Sequence, residues 1–132
     1  MGQATLETLP NKNHSRRFLC HHSFPELTAL CPVTKLPDFY TLRISYEPDA
    51  KLIELKSLKL YLLGFRDSEI LHEEITNQIF DDFLREAEPR WARIVTKVNV
   101  RGGLYTTVIR EWRKDEGDIV PDSSLTKVNH NR

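Results

Sequence analysis

Residues 40–65, YTLRISYEPDAKLIELKSLKLYLLGF, change their hydrophobic period partway along, and that change decides the fold. Tyr40, Leu42, Ile44 and Tyr46 alternate with Thr41, Arg43 and Ser45, the period of two that marks a half-buried strand. Glu47-Pro48-Asp49 ends this run, and Lys51 to Leu55 reads as a short second strand, so the pair predicts a hairpin. From Ser57, placed as an N-cap, Leu58, Tyr61, Leu62 and Phe65 recur at helical spacing. A second helix is predicted over roughly Ile70 to Ala87, burying Leu71, Ile75, Ile79, Phe83 and Leu84, with Pro89 enforcing its end. Trp91 to Arg101 and Leu104 to Trp112 alternate once more around Gly102-Gly103, a turn that needs positive φ. The order strand, strand, helix, helix, strand, strand is an α+β fold: one four-stranded antiparallel sheet with two helices on a single face. Such a small sheet leaves its edges and second face uncovered, and assembly through the sheet would cover them.

Outward from this core, residues 1–25 are polar and aperiodic, with Lys12, His14, Arg16 and Arg17 forming a small basic patch, and read as an N-terminal arm. Pro25 to Phe39, PELTALCPVTKLPDF, carries three prolines around a cysteine and reads as an irregular loop on a fixed path. The folded domain is expected over 26–112, and 113–132 is a polar C-terminal tail. The 132 residues suit one domain. Nineteen basic against nineteen acidic residues give zero net charge, which speaks against a nonspecific nucleic-acid tail or an acidic solvating segment. Two cysteines make no disulfide framework. Apolar runs fall far short of the roughly 18 residues of a membrane span, and no signal-peptide core opens the chain, so a cytoplasmic protein is expected.

Several residues stand out chemically. Cys31 lies outside any periodic element, between Leu30 and Pro32, whereas a structural cysteine is normally found on an apolar face; it reads as a reactive thiol or as a buried small hydrophobe. Asp38 follows in the same loop and could approach the sulfur if the loop folds back, although a turn carboxylate beside a proline is an equal reading. A thiol beside a carboxylate, without an imidazole, argues against peptide hydrolysis and for an acid that donates a proton. Cys20, His21 and His22 invite a metal, but adjacent residues rarely converge on one ion and no ligand motif completes a set, so no metal site is expected. Lys56 and Lys59, three apart at a strand-to-helix junction with Glu54, could share a helix face and, with the amides of the helix start, suit a phosphate; a solvated basic edge is the alternative. No dinucleotide-fold or P-loop glycine pattern occurs. His72-Glu73-Glu74 opens the second helix, where a carboxylate can accept two parallel N–H bonds from a guanine-like edge, or simply complement the helix dipole. Arg101, before Gly102-Gly103, could meet a ligand phosphate or solvate the turn.

Taken together, CPVTKLPDF (31–39), ELKSLKLY (54–61), LHEE (71–74) and RGG (101–103) resemble the short, single-domain form of NADPH-dependent 7-cyano-7-deazaguanine reductase, the nitrile reductase of queuosine biosynthesis. The likeness runs from about Glu26 to Arg110. It implies a tunnelling fold, subunits joined sheet to sheet in pentameric rings stacked as a decamer, and active sites between subunits. It implies Cys31 as nucleophile and Asp38 as proton donor, with Glu54, Leu55, His72 and Glu73 on the deazapurine and Lys56, Lys59 and Arg101 on the NADPH phosphates. The implied reaction reduces the nitrile to the primary amine with two NADPH through a covalent thioimide on Cys31, with no metal, no direct nucleic-acid contact and no membrane. Leu55 stands where other members carry serine, and HEEITNQ lacks the second cysteine that protects some members by a reversible disulfide.

Three competing readings share the scaffold. A relative forming the same thioimide but letting ammonia attack it on transfer RNA would lack the intact ELKSLKLY motif. A pterin enzyme of this fold would want metal ligands or a lysine and histidine set. A noncatalytic binder of deazapurines or pterins would tolerate loss of Cys31.

Overall fold

The structure is a computed structural model that describes residues 4–122, the side chains of Val100 and Arg101 excepted. Its elements in chain order are β1 (Thr8–Pro10), β2 (Cys20–Leu30), β3 (Pro37–Glu47), β4 (Lys51–Ile53), α1 (Leu55–Leu63), α2 (His72–Ala87), β5 (Trp91–Arg101), β6 (Leu104–Arg113) and β7 (Gly117–Ile119). The sheet is antiparallel in the order β2-β3-β5-β6-β7, and β1 pairs with β4 in a separate two-stranded ribbon. The α+β architecture is therefore as the hydrophobic periods imply, and β3, β5 and β6 bear the alternating runs read from the sequence.

The strand pairing differs in one respect. The long partner of β3 is β2, not the segment after Pro48, which contributes only three residues and pairs with β1. Residues 25–30 and 37–39, expected as loop, are strand, and only Cys31 to Leu36 connects β2 to β3. The cause is a β-bulge: the register moves from Phe24 opposite Leu42 to Leu27 opposite Tyr40, one residue extra on β2. The inward set thereby changes phase from Cys20, His22 and Phe24 to Leu27 and Ala29, so no single alternation spans the strand. Pro25 sits in the bulge, where a missing N–H disturbs no ladder bond. At the other edge, β7 adds a fifth, short strand that follows positive-φ Asp115 and opens on positive-φ Gly117, within what reads as polar tail.

Both helices pack on the face formed by Leu27, Ala29, Tyr40, Leu42, Ile44, Tyr46, Ala92 and Ile94. From α2, Ile75, Ile79, Phe80, Phe83 and Ala87 enter this core, and Phe83 meets Tyr46 edge-on with ring centroids 5.0 Å apart. Leu71, expected inside, is the N-cap residue and stays exposed. The Ile53 amide donates to the Tyr46 hydroxyl at 2.9 Å, and the Tyr61 hydroxyl donates to Asp82, tying β4 to the sheet and α1 to α2. Gly102 and Gly103, at φ 57° and 79°, make the two-residue turn between β5 and β6 that an L side chain would strain. Among the described residues no helix is long and apolar enough to cross a membrane.

The arm is drawn into this frame. Leu6 is buried in the core, and Arg90 donates to the carbonyls of His14 and Arg16 and to Asp49. Arg17 pairs with Glu47, and Lys114 reaches Asp49 at 3.2 Å. The hydrogen bond from Arg17, with Arg90 nearby, holds Glu47 below its ordinary 4.5; the bond from Lys114, again with Arg90, lowers Asp49. Lowered folded values mean that the unfolded chain takes up more protons as pH falls. The two carboxylates thus add stability above about pH 4.5 that is lost as pH drops through their folded values. Urea unfolding followed from about pH 6 to about pH 3 should show this acid loss, and Glu47→Gln should flatten it while lowering stability at neutral pH; an unchanged acid slope would exclude the arm's ion pairs as its source.

Candidate active site

Cys31 opens the β2–β3 connection at one end of the sheet. Its N–H donates to the Leu36 carbonyl at 2.9 Å and its carbonyl accepts from Lys35 N–H at 2.8 Å, so the six-residue loop closes on itself. Lys35 takes a positive φ of 63° to allow this, and its Nζ donates to the Pro32 carbonyl and to Glu69, binding the loop to the α1–α2 connection. Leu30 pairs with that same connection through Ser68 and Ile70. The half-buried thiol faces donors: the Thr34 side chain first, then the Thr34 and Val33 amides, favour the thiolate and lower the Cys31 pKa. The charge of Asp38 works against this, and the three donors outweigh it.

Asp38 is the first inward residue of β3, opposite Ala29 and 6% exposed, so the run of core positions begins with a carboxylate. Two residues on, Tyr40 is fully buried, and its hydroxyl meets His72 Nδ1 at 2.9 Å. Burial, then the charges of Asp38, Cys31 and Glu73, push the Tyr40 pKa far upward, which places all three acids about one phenol. Five side chains, Cys31, Asp38, Tyr40, His72 and Glu73, thus gather where the hairpin loop meets the start of α2. Glu74 is spent on the helix, accepting from Leu71 N–H at 3.1 Å, while Glu73 is exposed and its carboxylate makes no hydrogen bond among the described residues.

The ELKSLKLY motif sits elsewhere. Glu54, rather than Ser57, is the N-cap of α1, its two carboxylate oxygens accepting from Lys56 N–H at 2.9 Å and Ser57 N–H at 2.7 Å. These bonds lower the Glu54 pKa and occupy the amides that a phosphate would otherwise use. Ser57 Oγ instead accepts from Glu7 N–H and donates to the Glu54 carbonyl. Leu55, Lys56 and Lys59 are exposed, and neither lysine makes an ion pair among the described residues. Leu55 and Lys59 border a groove of about 310 Å³ with His21, His22, Phe24 and Leu58. Cys31 lies seven residues along β2 from Phe24, roughly 20 Å at strand rise, so one chain keeps this groove apart from the thiol. The backbone of Arg101 ends β5; its side chain lies outside the described residues. His21 and His22 both border that groove, and among the described residues Cys20, His21 and His22 do not form a group that could hold a metal ion.

Tyr40, Thr34 and the Lys35–Glu69 pair are the site residues that motif reading passes over. Tyr40 carried a signal, because the alternation that buries it also places it beside Asp38 on the inward face.

Fold and site define an α+β scaffold that presents an activated thiol, a buried carboxylate and a helix-borne His-Glu pair at one hairpin end. The family model of QueF-like proteins matches residues 37–117. The NADPH-dependent 7-cyano-7-deazaguanine reductase of Alkalilimnicola ehrlichii is 51% identical over 109 residues, covering 83% of this chain and 84% of the relative. That of Thiobacillus denitrificans is 47% identical over 126 residues, 96% of this chain and 91% of the relative. The apo crystal structure of the archaeosine synthase QueF-Like superposes with a TM-score of 0.66 at 22% identity over 70% of this chain and 91% of that one, a likeness of fold. The chain belongs to the NADPH-dependent 7-cyano-7-deazaguanine reductase family.

Thr34→Val removes the leading donor to the thiolate. The pH midpoint of Cys31 alkylation by iodoacetamide should move upward, with Cys20 blocked by substitution to serine; an unmoved midpoint would assign the lowering to the amides alone.

Proposed function

We propose that this chain is an enzyme that reduces the nitrile of 7-cyano-7-deazaguanine to the primary amine with NADPH, within queuosine biosynthesis in the cytoplasm. The observation that carries the reading is the donor-held Cys31 thiol beside buried Asp38, in one cluster with His72 and Glu73. The relatives' names supply the substrate and the reductant.

The residues divide the work. Glu73 accepts the N1–H and 2-amino hydrogens of the deazaguanine, with His72 beside it. Glu54 and Leu55 contribute to the base from the motif, Glu54 through lone pairs that capping leaves over. The Cys31 sulfur adds to the nitrile carbon; the S–C bond forms as one C–N π bond breaks, and the proton that the thiol gives up passes by way of Asp38 to the nitrogen, giving a thioimide. NADPH, when bound, supplies hydride, and the four-electron conversion of nitrile to amine takes two equivalents. Between the two reductions the C–S bond breaks, its electron pair returning to Cys31 as thiolate, and the imine stays enclosed in the site. Covalent activation by sulfur takes the place of a Lewis acid.

The cofactor's phosphates are assigned to Lys56 and Lys59, exposed cations without an ion pair among the described residues, of which Lys59 borders a groove with an apolar floor. Arg101 joins them in this reading. Since one chain separates that groove from Cys31, the complete site forms between copies. The long edge strand β2 and the helix-free sheet face are the surfaces through which rings of five, stacked in pairs, would close. The substrate is a free small molecule, with neither nucleic acid nor membrane engaged.

Purified protein given 7-cyano-7-deazaguanine should consume two NADPH per amine formed. Cys31→Ala should abolish both turnover and the covalent adduct, and Asp38→Asn should lower kcat by about 10²- to 10⁴-fold. A covalent adduct on Cys31 without NADPH consumption would move the chain to the amidine-forming class, and near-native reduction by Cys31→Ala would overturn the mechanism.

A further inference from the structure

Tyr40 has no part in the steps above, yet it lies at their centre. Its ring is fully buried on the inward face of β3, and it meets the His72 ring edge-on, centroids 5.4 Å apart at 81°. The hydroxyl lies 2.9 Å from His72 Nδ1, its hydrogen-bond partner among the described residues. Tyr40 can donate or accept there, and so can Nδ1. Burial settles the direction. If Nδ1 carried the hydrogen and donated, the phenol proton would be left in the interior without an acceptor among the described residues, an arrangement folded proteins avoid. Nor can the phenol give its proton away, because burial and the negative charges of Asp38, Cys31 and Glu73 oppose a phenolate. The hydroxyl therefore donates and Nδ1 accepts.

We infer that Tyr40 is a positioning residue that holds His72 as the neutral tautomer with its hydrogen on Nε2, making that nitrogen a donor that selects a ring carbonyl on the substrate. This rests on the deazaguanine reading of the site and deepens it. A guanine-like edge presents, in order, a carbonyl acceptor, the N1–H donor and the 2-amino donor. An Nε2–H beside the Glu73 carboxylate is the complementary set: one donor, then two acceptor oxygens. An adenine-like edge, with an amino group and an unprotonated ring nitrogen, would set donor against donor and lone pair against carboxylate. Either orientation of a freely flipping His72 would satisfy a promiscuous site, and a buried tyrosine bonded to Nδ1 removes that freedom.

The test has two readouts. In ¹⁵N-labelled protein without ligand, with the His72 resonances assigned by their loss in His72→Gln, Nδ1 should show the shift of an unprotonated imidazole nitrogen and Nε2 that of a protonated one. In Tyr40→Phe, which keeps the ring and deletes one oxygen, the two tautomers should mix. The KM for 7-cyano-7-deazaguanine should rise about tenfold, kcat should change less, and the preference over the analogue lacking the 6-oxo group should shrink. A wild-type Nδ1–H, or a Tyr40→Phe enzyme with unmixed tautomers and unchanged KM, would overturn the assignment. Should Tyr40→Phe not fold, the wild-type spectrum alone decides the tautomer. Failure of the deazaguanine reading shows separately, as absence of NADPH consumption with the Nε2–H tautomer intact.

Discussion

The antiparallel register of β2 on β3 is the constraint on which both core and site depend. With Ala29 opposite Asp38 and Leu27 opposite Tyr40, the pairing sends Leu27, Ala29, Tyr40, Leu42, Ile44 and Tyr46 beneath the helices and leaves Cys31 to Leu36 as the connection. Because side chains alternate, a one-residue slip of β2 on β3 would turn Leu27 and Ala29 outward, and a slip of β3 against both neighbours would turn Tyr40, Leu42, Ile44 and Tyr46 outward and take Asp38 out of the interior with them. Packing thereby specifies the chemistry. The hydrophobic burial that stabilises Leu42 and Ile44 is what holds a phenol and a carboxylate, two and four residues back from Leu42 along the same face, next to the thiol loop. The bulge at Pro25 serves the same end, since it restores the inward phase in time for Leu27 and Ala29 to cover that end of the sheet.

The thiol's environment is local by comparison. Thr34, Val33 and the self-closing bonds of the loop lie within five residues of Cys31, so a short stretch of chain sets the sulfur's electrostatics whatever packs around it. The Lys35–Glu69 pair and the Leu30 bonds to Ser68 and Ile70 connect the loop and the strand before it to the α1–α2 segment. These contacts matter more for geometry than for stability, because an exposed pair of this kind contributes little energy. They fix the distance between the loop carrying the nucleophile and the helix carrying His72 and Glu73.

What the sequence reveals and conceals follows from this division. Uninterrupted periods were legible: Tyr40 to Tyr46, Trp91 to Arg101 and the stripe Ile75, Ile79, Phe83 each lie where periodicity puts them. Strand β2 was not, because the bulge breaks its alternation at Phe24 and prolines on both sides of Cys31 read as loop. The three residues of β7 are too few to carry a period. Within the site, Cys31, Asp38, His72 and Glu73 could be singled out by residue type and motif, and the fold gathers them. Glu54 also stood out, but its capping bonds come from backbone amides that no motif displays. Tyr40 read as core, and core it is; its second function appears only when its hydroxyl is found opposite Nδ1. A residue satisfying a hydrophobic pattern hides a polar contact made by its last atom.

On the proposed function, the separation of Lys56 and Lys59 from Cys31 gives a chemical reason for assembly. In the proposed route, the described fold offers one sheet face to its helices, and enclosing the imine calls for a second wall. Water reaching that imine would divert it before a second reduction, so enclosure is a chemical requirement of any route that releases an intermediate between two hydride transfers. The present chain has the nucleophile at one end of β2 and the exposed lysines near the other, with the intervening edge strand open to pairing among the described residues. An edge of eleven residues is an aggregation hazard in a monomer and a joint in a ring. Closing the ring through that edge would cover the hazard and bring a neighbour's surface toward the thiol loop. The same strand that organises the core by its register would then complete the site by its exposed side.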